Sequence, residues 1–388
     1  MKTNKLVKIG WLLLWIPVFL FVIRFPIFAE EDSTEISEKM PEEYQSLLDT
    51  IPEDIAALLP DGIFSSDSSE VSEAVRELSH FSYLLNTLLS LVGAHIGDCM
   101  KLLSLLCGIL LLSAVFRTVR ASIGSDGLGH AFSFCTTLVV TISLITQGYH
   151  SLKGVTTYFS TLTALTTACI PLMAVLYAMG GNVTAAVASS AGLSVFLTVL
   201  ENLVSRSILP FCSICMAFAL VSALDPSLRM GTLLATVKKN YTTVLAFLMM
   251  LLLAMLGAQT TLGAHSDTLA MRSAKFAVGN LIPVVGGSVS ELLRTVSAGV
   301  GYLRGTVGIC GVLLLVLTLL PTLIELFLLR VTWQLAASFA DLLGCDGEKK
   351  LLDESASLLG FLIAAVSICA SVLLLSLTLL THCASAIG

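Results

Sequence analysis

Charge is what this chain has least of. Only 12% of its 388 residues are Asp, Glu, Lys or Arg, whereas soluble domains carry about a quarter. With 56% hydrophobic residues and a mean hydropathy of +0.92, a soluble globular fold is excluded. Catalytic signatures are missing as well. The six histidines form no HExxH pair and no metal-ligand spacing, and there is no GxSxG elbow and no GxxxxGK[ST] phosphate loop. Most of the ten cysteines, including Cys107, Cys135, Cys169, Cys310 and Cys369, stand in apolar runs, where they act as small hydrophobes. Cys212 and Cys215 have redox-motif spacing but lie in an apolar segment without a thioredoxin-like context. No enzyme, metal, cofactor or nucleic-acid signature emerges.

What the chain has is apolar length. Segments Met100–Phe116, Leu128–Tyr149, Leu165–Gly180, Val183–Leu200, Ile208–Leu224, Thr242–Leu262, Thr306–Leu329 and Ser357–Thr381 approach or reach the roughly 18 residues of a bilayer-spanning helix. The fold class is an all-α polytopic integral membrane protein with about six to eight transmembrane helices. Residues 1–29 read as a signal peptide: Lys2, Lys5 and Lys8, an apolar run, then Ala29 before Glu30. Residues 30–80 hold 15 Asp or Glu against Lys39 and Arg76, so they read as a loosely ordered acidic extracytoplasmic arm with short helices near Pro41–Leu48 and Ser69–Leu78. Residues 81–149 hold an amphipathic lead-in and the first two spans. If the arm is outside, Arg117 and Arg120, then Arg229, Lys238 and Lys239, then Arg330, Lys349 and Lys350 all fall on the cytoplasmic side. Arg272, Lys275 and Arg304 depart from that rule.

The remainder reads as an internal parallel duplication, 150–262 and 263–388. "CIPLMAVLYAMGGNV" and "LIPVVGGSV" share Ile-Pro followed by Gly-Gly. Pro171 to Pro210 is 39 residues and Pro283 to Pro321 is 38; Pro210 to Lys238 and Pro321 to Lys349 are both 28. Each copy would carry a helical hairpin, at 165–200 and at 281–304, and the sequence leaves open whether these span or re-enter. Irregular backbone at membrane depth must be buried in protein or line a water-filled cavity, so Pro171, Gly180, Gly181, Pro283, Gly286 and Gly287 are hairpin or pore candidates. An amphipathic stretch precedes each hairpin, with Leu152, Val155, Phe159 and Leu162 on one face of the first; it reads as lying flat at the outer interface. Glu291 and Arg294 share a face, and Glu325 follows Pro321 inside a span. An intramembrane carboxylate must pair, protonate, face water or snorkel to the boundary. Glu201 and Arg206 are expected to flank a short outer turn.

The stretch "IPVVGGSVSELLRTVSAGVGYLRGTVGICGVLLLVLTLLPTLIELFLLRVTWQLAASFADLLG", followed by "LLGFLIAAVSICASVLLL", resembles the stage III sporulation protein AE family. The resemblance implies a non-enzymatic multi-pass protein of the mother-cell membrane around the forespore, part of a secretion-like channel that supports late forespore gene expression. It implies as partners the sibling stage III proteins, including a cytoplasmic ATPase and intermembrane ring-forming proteins, with stage II sporulation protein Q from the forespore and further copies of the chain. A basic or neutral residue is the family's expectation where this chain has Glu325. The residues themselves also leave open a proton-coupled secondary transporter or a purely structural scaffold.

Overall fold

Three prolines punctuate the acidic arm. Pro41, Pro52 and Pro60 each stand at a helix N-cap, with φ between −57° and −65° and extended ψ, where a missing N–H breaks no intrahelical bond. They introduce α1 (Glu42–Leu48), α2 (Glu53–Ala56) and a 3-10 turn (Asp61–Phe64). Asp67 caps α3 (Ser68–Leu78), its carboxylate accepting the Ser69 N–H at 3.0 Å. The computed structural model describes residues 40–123, 126–179, 183–224, 230–281 and 286–385; the expected signal peptide, Gly180, Gly181 and Pro283 lie outside them.

The arm's helices fall where the sequence puts them, but the arm is not loose. Tyr44, Leu47, Ile63, Val71 and Leu78 are buried, while Glu42, Asp49, Glu53, Asp54, Asp61, Glu70, Glu73 and Glu77 are exposed. The apolar positions of α3 recur every three to four residues, so one face folds inward and the charges stay in water.

Among the described residues seven further helices follow: α4 (Phe81–Ile123), α5 (Asp126–Met179), α6 (Val183–Leu203), α7 (Leu209–Leu224), α8 (Met230–Leu281), α9 (Gly286–Leu342) and α10 (Asp346–Ser385). Five stretches among the described residues are long and apolar enough to cross a membrane: Ser82–Phe116, Cys135–Leu176, Gly231–Ala258, Gly305–Leu342 and Asp346–Thr378. At 1.5 Å per residue, 28 to 42 residues exceed the roughly 30 Å of a hydrocarbon core, so these helices have length to project beyond it.

The expected boundaries move in three places. Leu128–Tyr149 and the expected span from Leu165, as far as Met179, are not separate but parts of the 54-residue α5, with Pro171 inside it. The stretch between them is the middle of α5, not a helix lying apart. Its apolar face, with Val155, Phe159 and Leu162 buried, is satisfied by neighbouring helices. Second, α6 continues into α7 through a π-helical turn, Val204–Ile208, so Glu201 and Arg206 flank no break. The wide turn lies just ahead of Pro210, which lacks the N–H that would bond the carbonyl of residue 206. Third, 281–304 is not a hairpin: α8 ends at Leu281, and α9 runs unbroken from Gly286 for 57 residues, carrying Glu291 and Arg294 in its first turns.

The core is the α9–α10 pair. In each, 67% of the most apolar stretch is buried, against 17% in α4 and α8; the first two helices are central and the last two peripheral. α9 packs on α10, α4 and α5, whereas α10 also contacts α7 and α8. Gly344 joins α9 to α10 with φ 70°. Cys345 N–H reaches Ala340 O at 2.9 Å and Gly344 N–H reaches Asp341 O at 3.0 Å, the Schellman pattern that closes a helix C-terminus.

Candidate functional site

Glu325 lies midway along the Gly305–Leu342 span, half-buried, four residues past the half-buried Pro321. A Cβ built on Gly154 of α5 would stand 3.7 Å from Glu325 Oε2, so the carboxylate rests against bare backbone. Cys99 of α4 lies within electrostatic range of Glu325. Residues near the middles of three spans, Cys99, Gly154 and Glu325, therefore meet at one level.

That level holds more charge than the sequence reading singled out. On α4, Lys101 Nζ donates to Asp98 Oδ1 at 2.8 Å with His95 close by, and the two side chains of the pair are 81% and 78% exposed. This ion pair halfway along an apolar helix points away from the bundle. On α5, Thr146, His150, Lys153, Thr157, Ser160 and Thr167 are exposed. The first five recur every three to four residues, Thr167 follows two turns on, and together they form a polar stripe opposite the buried Val155, Phe159 and Leu162. Thr146 and Thr167 donate to the carbonyls of Ile142 and Thr163, so these two hydroxyls are satisfied within the helix. Carboxylate, imidazole, amine and hydroxyl groups along the outer faces of α4 and α5 can hold water beside an otherwise apolar bundle. Among the described residues no group of three or more His, Cys, Asp or Glu is placed to hold a metal ion.

Other polar contacts fasten the helices. Lys238 of α8 is 5% exposed; its Nζ donates to Ser357 Oγ at 2.9 Å and Glu354 Oε2 at 3.4 Å on α10. Lys349 instead donates to Asp341 Oδ1 across the α9–α10 turn at 2.6 Å. Glu348, in the first turn of α10, is buried and accepts hydrogen bonds from Ser113 of α4 (3.1 Å) and Thr136 of α5 (3.0 Å). The Arg330 guanidinium crosses Gly360, where a Cβ would come within 2.9 Å of Cζ; Arg330 Nε is buried with no hydrogen-bond partner among the described residues.

Of the residues singled out from sequence whose side chains are described, Glu325 stands in this cluster. Pro171 is exposed on α5, and Gly286 and Gly287 open α9. Cys212 and Cys215 are buried as small hydrophobes. Asp98 and Lys101 are inconspicuous in the sequence because two charges barely lower the hydropathy of the 35-residue Ser82–Phe116 run. Their i,i+3 spacing was the available signal, as was the periodic polar stripe of 146–167.

No solved structure matches the chain. A stage III sporulation protein AE of Bacillus subtilis (strain 168) is 26% identical over 369 residues, 90% of either chain. The family model for stage III sporulation protein AE matches residues 69–384, from the last arm helix to the end of α10. With most of its length matched, this multi-helix membrane chain belongs to the stage III sporulation protein AE family.

Proposed function

We propose that the chain is a non-enzymatic membrane subunit of a secretion-like channel joining the mother cell and the forespore. It would sit in the mother-cell membrane with its acidic arm on the extracytoplasmic side, and the channel would support late forespore gene expression. The observation that carries this reading is the polar level around Glu325, which continues onto the outer faces of α4 and α5. A bundle surrounded by lipid alone has no use for such faces; a bundle bordering a water-filled passage does. Sibling stage III proteins, including a cytoplasmic ATPase and ring-forming intermembrane proteins, would complete the assembly, and stage II sporulation protein Q would meet it from the forespore.

The parallel duplication over 150–262 and 263–388 belongs to the same proposal. A long helical run followed by a second one packed against it occurs twice, as α6–α7 with α8 and as α9 with α10. The test is purification from sporulating cells. A channel subunit comes out with its siblings and moves no solute when placed alone in vesicles. Proton-coupled solute uptake by the isolated chain would replace the channel reading with that of a transporter.

A further inference from the structure

Arg330 carries a positive charge into the Gly305–Leu342 span, half-buried, and among the described residues no carboxylate pairs with it. Its guanidinium is pressed against the bare backbone of α10: a Cβ at Gly360 would stand 2.9 Å from Cζ, 3.1 Å from Nη1 and 3.2 Å from Nη2. The Nε–H is buried there with no hydrogen-bond partner among the described residues. One turn further along α9 stands Trp333, 1% exposed, and its indole N–H is likewise buried without a partner among them. Residues three apart share a helix face, so the two donors belong to one strip of α9. Helices α5 and α7 close over the indole. A Cβ at Gly148 of α5 would stand 3.8 Å from its ring and 3.3 Å from Met216 Cε of α7. Met216 Sδ in turn lies 3.8 Å from Ser355 Oγ of α10. Buried donors are normally hydrogen-bonded, and a buried cation needs a compensating charge.

We propose that Arg330 Nε and Trp333 Nε1 bind a small monovalent anion, a halide such as chloride, where α5, α7, α9 and α10 converge. The chemistry of the donors selects the ligand. Guanidinium and indole N–H groups donate and cannot accept, and their summed charge is positive, so a metal cation is excluded. Water would satisfy the two hydrogen bonds but leave the charge unbalanced. Nε lies on the edge of the guanidinium nearest the helix stem. An acceptor joining it to the indole therefore sits inside the bundle, whereas a lipid phosphate would meet the outer Nη atoms. The flanking positions Leu326, Leu329 and Leu359 are buried and apolar, surroundings that a weakly hydrated halide enters at less cost than a strongly hydrated phosphate. The bound anion would hold the guanidinium on Gly360 and so tie α9 to α10. This proposal does not depend on what the assembly transports.

The test reads the fluorescence of Trp333 itself. The other two tryptophans are Trp11 and Trp15, and Trp11→Phe with Trp15→Phe in the full-length protein leaves Trp333 as the only emitter. This protein, purified in neutral detergent with gluconate as the reference salt, is titrated with iodide at constant ionic strength. Iodide held beside the indole should quench it along a saturating curve, and chloride, which competes without quenching, should restore the emission. Acrylamide, a neutral collisional quencher, should do little to a ring 1% exposed. Arg330→Gln is expected to raise the half-saturating iodide concentration about tenfold or more, the scale of one lost hydrogen bond to a charged group. Gly360→Ala keeps both donors and should also weaken binding, because its Cβ pushes the guanidinium off α10. The titration without either change decides even where a variant does not fold. Quenching that is absent, never saturates or is not relieved by chloride overturns the proposal. So does an unchanged curve in folded Arg330→Gln, or relief by phosphatidylglycerol and not by chloride, which would give the guanidinium to a lipid headgroup.

Discussion

The Tyr44 hydroxyl, in the first helix of the acidic arm, lies 3.7 Å from Cys310 Sγ on α9, 266 residues further along the chain. The same hydroxyl donates to Ile63 O at 2.9 Å, and Leu47 beside it lines a small apolar gap with Leu165, Cys169, Gly311 and Leu377. The arm is thereby docked on one end of the bundle.

Tyr44→Phe should destabilise the folded arm by about 1–3 kcal/mol, the cost of leaving the buried Ile63 carbonyl unpaired, and should remove the hydroxyl's contact with Cys310. Limited proteolysis of the arm reads the change. Burial raises the Tyr44 hydroxyl above its ordinary 10.0, so the folded arm keeps the proton that an unfolded arm releases. The stabilisation is complete below about pH 10 and is lost as pH rises above it. Wild-type protection should fall in that range, and Tyr44→Phe should lose this contribution to the pH dependence.

At the intramembrane level, Glu325→Leu should accumulate in the membrane at wild-type amounts yet fail in sporulation. Gly154→Leu should do the same by pushing the Glu325 carboxylate aside, whereas Gly154→Ala, whose Cβ meets Oε2 at an ordinary 3.7 Å, should be tolerated. Spore counts alongside membrane immunoblots decide it. Full sporulation in Glu325→Leu would remove this carboxylate from the mechanism.

Breaking the Lys238–Glu354 pair should be costly from either side. Its side chains are 6% and 19% exposed, and a buried charge left alone typically costs about 3–5 kcal/mol. Lys238→Met should therefore unfold earlier in a detergent denaturation series, and adding Glu354→Leu should recover most of the loss. Equal damage from the double variant would mean that the pair is not coupled.

Gly344→Ala should destabilise the α9–α10 pair by about 1–2 kcal/mol, the cost of a left-handed conformation to a residue with a Cβ. Gly344→Val should cost more because its side chain is branched. Gly286→Val carries no such strain, because Gly286 begins a helix. A thermal melt ranks the three; equal effects at Gly344 and Gly286 would contradict the assignment of strain to Gly344 alone.

Hydropathy alone reveals a polytopic helical chain with an acidic, helical front segment, because these follow from residue type and local periodicity. The residues of the Ile-Pro–Gly-Gly stretch and the proline-bearing span after it were enough to point to the family. Breaks between helices were less legible. A proline or a glycine pair marks where a helix can end, and whether it does depends on what lies alongside: α5 passes through Pro171, and α6 reaches α7 through a π turn ahead of Pro210.

Partnership could not be read from sequence at all. Lys238 and Lys349, alike in the linear pattern, separate into a buried tie to α10 and a contact across a turn. Glu348, one charge among several after Gly344, becomes a buried acceptor joining three helices. Glu325 stands out by its place in an apolar run, but Gly154 and Cys99 reach it only because α4 and α5 fold against α9. A charge inside a span is a local fact, set by covalent order. What solvates it is decided by the helices beside it, which either supply a partner or open a path for water.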